Sequence, residues 1–163
     1  MKNKEFHTVR GYQMIEQNKR LLTPAMEDYL EMIYRYNLEQ EYVRVNQLAE
    51  KLNVRASSAT RMVQKLGELK LLKYEKYGVI TLTEEGKKMG KFLLDRHNTI
   101  ETFLKNIGSS NNLLETELIE HNISMDTLRN IELLNRFLKR HPVIVKWFEE
   151  YKAKQKDSVF KDI

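Results

Sequence analysis

"ASSATRMVQKLGELKLLKYEKYGVITLT", residues Ala56–Thr83, changes rhythm half-way along. In its first half Ala59, Met62, Val63 and Leu66 recur at three- and four-residue steps, the spacing of one buried face of a helix that runs on to about Leu72. Its second half is dense in β-formers, with Gly78 between two short runs, and predicts a two-stranded hairpin. Upstream, "TPAMEDYLEMIYRY" opens a helix with Thr23 as cap and Pro24 in the first turn. Met26, Leu30, Ile33 and Tyr34 form its apolar face. A shorter helix spans about Val45–Lys51 with Leu48 and Leu52 inward, and "LNVR" is short enough for a tight turn. Helix, helix, turn, helix, hairpin is the order of a winged helix-turn-helix domain.

Charge is concentrated in the same segment. The chain of 163 residues carries a formal +5, yet Arg44 to Lys91 holds eleven Lys and Arg against five Asp and Glu. The bland reading is a solvated surface; the sharper one is an electrostatic footprint for nucleic acid. In winged-helix geometry the third helix enters the major groove and offers Ser57, Ser58, Thr60, Arg61, Gln64 and Lys65 to DNA. Arg61 and Gln64 have forked donors suited to base edges, while Ser57, Ser58 and Lys65 suit phosphates. On the hairpin, Lys73 and Lys76 also suit phosphates, and Tyr77 at the tip reaches towards a backbone.

Residues 1–22 lack clean periodicity and read as an extension, helical around Tyr12–Lys19. Thr83 caps a long helix whose Leu93, Ile100 and Leu104 form one stripe and whose end is marked by Gly108. "NLLETELIEHNIS" is a shorter helix, and "MDTLRNIELLNRFLKRH" a longer one with Leu128, Ile131, Leu134 and Leu138 apolar. Pro142 punctuates before the last segment. Little chain is left to cover these stripes, so a second copy is the natural partner, and two-fold symmetry matches a palindromic site on double-stranded DNA. The expected division is therefore an extension over 1–22, a winged helix-turn-helix domain over 23–90 and a helical metal-binding and dimerisation domain over 91–163. The class is mostly α, with a small β-hairpin wing.

The chain has no cysteine, which removes disulfides, thiol catalysis and sulfur-based zinc sites. With neither a signal peptide nor an apolar run long enough for a bilayer, a cytoplasmic protein without membrane attachment is expected. Glu117, Glu120 and His121 lie at i, i+3 and i+4, on one face of a helix and able to converge on one point. By themselves they fit the exposed acidic face of an ordinary helix better than a metal site. Asp28 and Glu31 set two like charges three residues apart, unfavourable unless a cation lies between them, although acids also suit a helix N-terminus. His97 sits on the Leu93, Ile100, Leu104 stripe, either as a core histidine or as a ligand. Four carboxylates and two imidazoles suit one or two divalent ions of a harder kind, Mn2+ before Zn2+ or Cu+, with Fe2+, Co2+, Zn2+ and Cd2+ as competitors. No organic cofactor is called for. A di-metal carboxylate enzyme would pair glutamate and histidine at i and i+3, but three residues before His121 stands Leu118, and no nucleophile or catalytic base accompanies the acids.

"TPAMEDYLEMIY", "SSATRMVQKL", "YEKYGVITLTEEGKKMGK", "RHNTIETFL" and "ELIEH" resemble, in order and spacing, the diphtheria-toxin-repressor family of metal-dependent regulators, and most closely its manganese transport regulator branch. The resemblance runs from about Thr23 to the last helix. It implies that Asp28, Glu31, His97, Glu117, Glu120 and His121 are the ligands, and that a homodimer represses manganese-uptake genes when metal is plentiful. The iron-responsive branch has Met at the position of Asp28 and Cys at that of Glu117, and usually adds an SH3-like domain; neither sulfur ligand is present. Asn122 stands where close relatives often carry a second histidine. The alternative is a winged-helix regulator that senses iron(II) or a non-metal ligand.

Overall fold

The structure, a computed structural model, describes residues 22–155. The extension expected over 1–22 therefore lies outside the described residues apart from Leu22, which packs against the core. Two compact units divide the chain, one ending at Asp95 and the other beginning at Arg96.

In the first unit, α1 (Pro24–Asn37) starts as its sequence predicts: Thr23 Oγ1 accepts from Met26 N, and Pro24 occupies the first turn. A two-residue strand, β1 (Val43–Arg44), leads into α2 (Val45–Lys51) and then α3 (Ala56–Glu68). β2 (Leu72–Tyr74), a single 3-10 turn at Lys76–Gly78 and β3 (Val79–Leu82) form the wing. The sheet is three-stranded and antiparallel, in the order β1-β3-β2. This corrects the two-stranded expectation: Val43 and Arg44 pair with Ile80 and Val79, and two residues are too few to display an alternating pattern. The core is built from Leu30 and Ile33 of α1, Leu48 of α2, Ala59, Val63 and Leu66 of α3, and Ile80 of β3, all at 1% exposure or less. Tyr34, Leu52 and Met62 lie only partly buried against it.

α3 also stops four residues earlier than its pattern predicts. Lys70 adopts a left-handed φ of 59°, and its N–H donates to Gly67 O while Leu71 N donates to Leu66 O. That pair of bonds is a Schellman ending, and with lysine in the position that glycine usually takes nothing in the sequence announces it.

α4 (Glu84–Asn106) begins in the first unit and ends in the second. Thr83 Oγ1 accepts from Gly86 N at 3.0 Å, and lies 2.8 Å from Lys70 O and 3.0 Å from Leu71 O, so one hydroxyl ties the helix start to the wing. A Cβ on Gly86 would run into Leu71 O, so only glycine admits this approach.

The second unit holds the rest of α4 with α5 (Asn112–Glu120), α6 (Met125–Arg140) and α7 (Pro142–Gln155). α4 ends as expected at Gly108, with φ 74° and bonds from Gly108 N to Lys105 O and from Ser109 N to Leu104 O. Lys152 Nζ of α7 donates to Ile107 O beside this ending. Of the apolar residues expected on α6, Leu128 is buried and Ile131 and Leu138 are half-buried, but Leu134 is 41% exposed. Asn135 is buried instead: its Nδ2 donates to Thr99 O at 2.8 Å and its Oδ1 accepts from Asn106 Nδ2 at 3.1 Å. The polar pairs satisfy atoms that burial would otherwise penalise. Among the described residues, no helix is long and apolar enough to cross a membrane.

Candidate metal centre and nucleic-acid interface

In the helical unit, four of the predicted ligands come together. His97 stands on α4, Glu117 and Glu120 on α5, and His121 caps the end of α5 with helical φ and ψ. Because α5 keeps its helical geometry through His121, the i, i+3, i+4 spacing brings all three side chains to one face, as expected. Glu120 is 2% exposed and His97 is 5% exposed. The two oxygens of Glu120 face different imidazoles: Oε2 lies 3.0 Å from His97 Nδ1, and Oε1 lies 3.7 Å from His121 Nε2. Glu117, on the exposed side, brings Oε1 to 3.6 Å from His97 Nδ1.

Burial sets Glu120 apart from the exposed side of α5. A solvated acidic face would leave Glu120 in water, whereas its carboxylate is buried, and an ionised carboxylate in that position needs positive charge or donors around it. Oxygen and imidazole nitrogen are the only donors the four residues offer, a set that fits a divalent cation of the Mn2+ to Zn2+ range and excludes thiolate coordination. His97 shares the buried stripe with Ile100 and Leu104, so it is a core residue by position while its ring faces two carboxylates.

In the first unit, Asp28 and Glu31 stand on α1, three residues apart and hence on neighbouring positions of one face. Asp28 is half-buried and Glu31 is buried. Glu31 Oε1 accepts from Arg35 Nε at 2.9 Å and from Nη2 at 2.7 Å. Arg35 was a missed partner, although its spacing four residues after Glu31 was a legible signal. Arg96 was missed as well: it is 4% exposed, with Nη2 3.4 Å from His121 Nδ1. Arg96 lies three residues after Leu93 and four before Ile100, on the same stripe as His97, but its charge argues against burial and only the tertiary structure places it inside.

The residues expected to meet DNA fall on the surface of the first unit. Ser57, Ser58, Arg61, Gln64 and Lys65 are exposed along α3, opposite its Ala59, Val63 and Leu66 face. Thr60 is half-buried and its hydroxyl donates to Ala56 O, which turns it towards its own helix. Lys73 is exposed on β2, and Lys76 and Tyr77 are exposed in the turn at the wing tip. Tyr77 has a left-handed φ of 63° and is 90% exposed. Arg44 Nη1 donates to Tyr77 O at 3.3 Å, so an arginine distant in sequence braces the wing tip. This third arginine's role was also absent from the sequence reading.

Residues 21–80 match the family described as iron dependent repressor, N-terminal DNA binding domain, and residues 83–148 match iron dependent repressor, metal binding and dimerisation domain. The HTH-type transcriptional regulator MntR of Lysinibacillus sphaericus is 42% identical over 133 residues, covering 80% of this chain and 96% of that protein. Its Bacillus subtilis counterpart is 42% identical over 139 residues, covering 84% of this chain and 91% of the relative. Among solved structures, a manganese-dependent transcriptional repressor in complex with manganese is 32% identical with a TM-score of 0.63, covering 69% of this chain and 53% of that one. The manganese regulator SloR is 31% identical with a TM-score of 0.61, covering 72% of this chain and 55% of that one. With a DNA-binding match over the winged unit, a metal-binding match over the helical one and relatives that align with nearly their whole length, the chain belongs to the iron-dependent repressor family, the diphtheria-toxin-repressor group of metal-responsive transcriptional regulators, on its manganese transport regulator branch.

Proposed function

We propose that this metal-responsive, DNA-binding repressor answers to Mn2+, one or two ions per subunit, held by Asp28, Glu31, His97, Glu117, Glu120 and His121. It works in the cytoplasm as a homodimer on a palindromic operator that controls metal-uptake genes. The observation that carries the reading is Glu120: an acid at 2% exposure whose two oxygens face the imidazoles of His97 and His121. Support for manganese comes from the sulfur-free donor set and from two similar solved structures that are named as manganese regulators.

The division of ligands suggests how metal reaches DNA. Asp28 and Glu31 belong to the unit that carries α3, and His97, Glu117, Glu120 and His121 to the helical unit. Asp28, Glu31, His97, Glu117, Glu120 and His121 would hold a divalent cation, which would supply positive charge to these carboxylates. Ligands drawn from both units restrict the separations that the two recognition helices of a dimer sample, towards the roughly 34 Å of adjacent major-groove half-sites. A coupling of about 1–3 kcal/mol is typical of such linkage, and operator DNA then tightens metal binding by the same factor. On α3, Arg61 and Gln64 read base edges, while Ser57, Ser58 and Lys65, with Lys73, Lys76 and Tyr77 of the wing, position the phosphates, and Thr60 lies on the same side of the helix with its hydroxyl bonded to Ala56 O.

Operator binding titrated against Mn2+, Fe2+, Co2+, Zn2+ and Cd2+ at buffered free concentrations tests the reading. Wild-type protein is expected to bind DNA tightly with Mn2+ and weakly after chelation, and Glu120→Ala or His121→Ala to lose the metal response while keeping the helical circular-dichroism signal and the dimer mass. Full Mn2+ dependence in either variant would remove these residues from the site. A response to Fe2+ but not to Mn2+ would make the protein an iron sensor.

A further inference from the structure

The tip of the wing holds a large aromatic residue in a backbone conformation that suits glycine. Tyr77 has φ 63° and ψ 20°, and Gly78 follows with φ 75°, while Glu75 N donates to Val79 O to close the turn. A bulky side chain in the left-handed region is an outlier, and it persists only where its surroundings over-determine it. The Tyr77 ring is 90% exposed, so burial does not hold it there. What holds the turn comes from the junction of β1 and α2. Val45, the first residue of α2, packs against Gly78, where a Cβ would come within 2.9 Å of Val45 Cγ1, and Arg44 Nη1 donates to Tyr77 O at 3.3 Å.

Arg44 is itself fixed. Its backbone pairs with Val79 in the sheet, its N–H donates to Gln47 Oε1 at 2.9 Å, and its guanidinium stands 5.9 Å from the centre of the Tyr42 ring. A guanidinium does not give up its proton inside proteins, so the bond to the Tyr77 carbonyl keeps a charged donor. Both holders of the tip stand where α2 begins, and the wing is thereby tied to the helices that carry the recognition surface. We infer that Arg44 is a positioning residue for DNA binding: through the Tyr77 carbonyl it keeps the tip in its left-handed turn, so that the Tyr77 ring and the Lys76 ammonium meet DNA already arranged. A tip held in advance loses less freedom when it binds. The inference rests on the reading of Lys76 and Tyr77 as DNA contacts.

The test uses the full-length protein saturated with Mn2+ and a duplex that the wild type selects from a random library. In the free wild type, the three-bond HN–Hα coupling and the Cα shift of Tyr77 should report a left-handed residue, and in Arg44→Met they should move towards extended values at an unchanged melting temperature. Affinity for the duplex, read by fluorescence anisotropy, should fall about three- to tenfold in Arg44→Met, the range that corresponds to ordering one or two interface residues on binding. In Tyr77→Gly the glycine takes the turn unaided and there is no ring to place, so adding Arg44→Met should cost less than about twofold more. An equal loss in both backgrounds would make Arg44 a phosphate contact in its own right and overturn the proposal. Wild-type affinity in Arg44→Met, or an extended Tyr77 in the wild type, overturns it as well. Failure of the underlying reading looks different, because Tyr77→Gly and Lys76→Ala would then bind the duplex as the wild type does.

Discussion

Gly86 shows how much a single residue can carry. Its place one turn into α4 lets the Leu71 carbonyl approach the helix backbone, next to the Thr83 hydroxyl that caps the same turn. Gly86→Ala puts a methyl group into backbone that cannot swing aside, so the wing and the start of α4 must separate. Overpacking of this kind costs about 1–3 kcal/mol, and a lowered melting temperature in thermal denaturation checks it; an unchanged one would mean that α4 can shift freely against Leu71. Glu120 is the corresponding residue in the site. Its place in the i, i+3, i+4 pattern was legible, but spacing by itself left a solvated face standing beside a metal-binding one. Burial takes Glu120 out of the solvent. How deep a carboxylate lies depends on what packs over it, and the local pattern does not contain that.

Helix ends divide into those the sequence announces and those it conceals. Thr23 and Thr83 are hydroxyl caps in front of apolar periodicity, and Gly108 carries the left-handed backbone that closes α4, so these boundaries were predicted from the residues themselves. α3 ends on the same hydrogen-bond pattern with Lys70 in the left-handed position, and no residue type signals it. The rest of α3 is nevertheless well read, because its buried and exposed positions alternate with the helical period. Arg61 and Lys73 are expected to behave differently. Arg61→Ala should weaken binding to the correct operator by about 1–3 kcal/mol and relax sequence preference, whereas Lys73→Ala should weaken all DNA evenly and reduce the salt slope by about one. Fluorescence anisotropy on specific and scrambled duplexes across a salt series distinguishes the two, and equal behaviour of the variants would contradict the assigned roles.

At the scale of the whole molecule, the helical unit leaves apolar surface in water. Leu133, Leu134 and Phe137 of α6 and Val143, Trp147 and Phe148 of α7 are each at least 40% exposed. Patches of this kind mark interaction surfaces, and a unit matched to a metal binding and dimerisation domain has a second copy available to cover them. Phe137→Glu is expected to shift the protein from dimer towards monomer in sedimentation velocity and to lower operator affinity with it; a dimer of undiminished stability would place the interface elsewhere. Leu134 lies on the stripe expected to meet a second copy and is exposed within the chain, while Asn135 beside it takes an interior position because Thr99 and Asn106 of α4 offer it partners.

What the sequence by itself determined is what repeats locally or is intrinsic to a side chain: the helical stripes, the hydroxyl and glycine caps, the hairpin, the basic segment, and a donor set of oxygen and nitrogen without sulfur. Only the tertiary structure decided that Val43 and Arg44 add a strand to the wing, that Glu120 is buried between two imidazoles, and that Arg96 reaches the His121 ring. The physical reason is range. Periodicity and capping act over about one turn of chain, while strand pairing and burial depend on residues tens of positions away, whose proximity is a property of the fold.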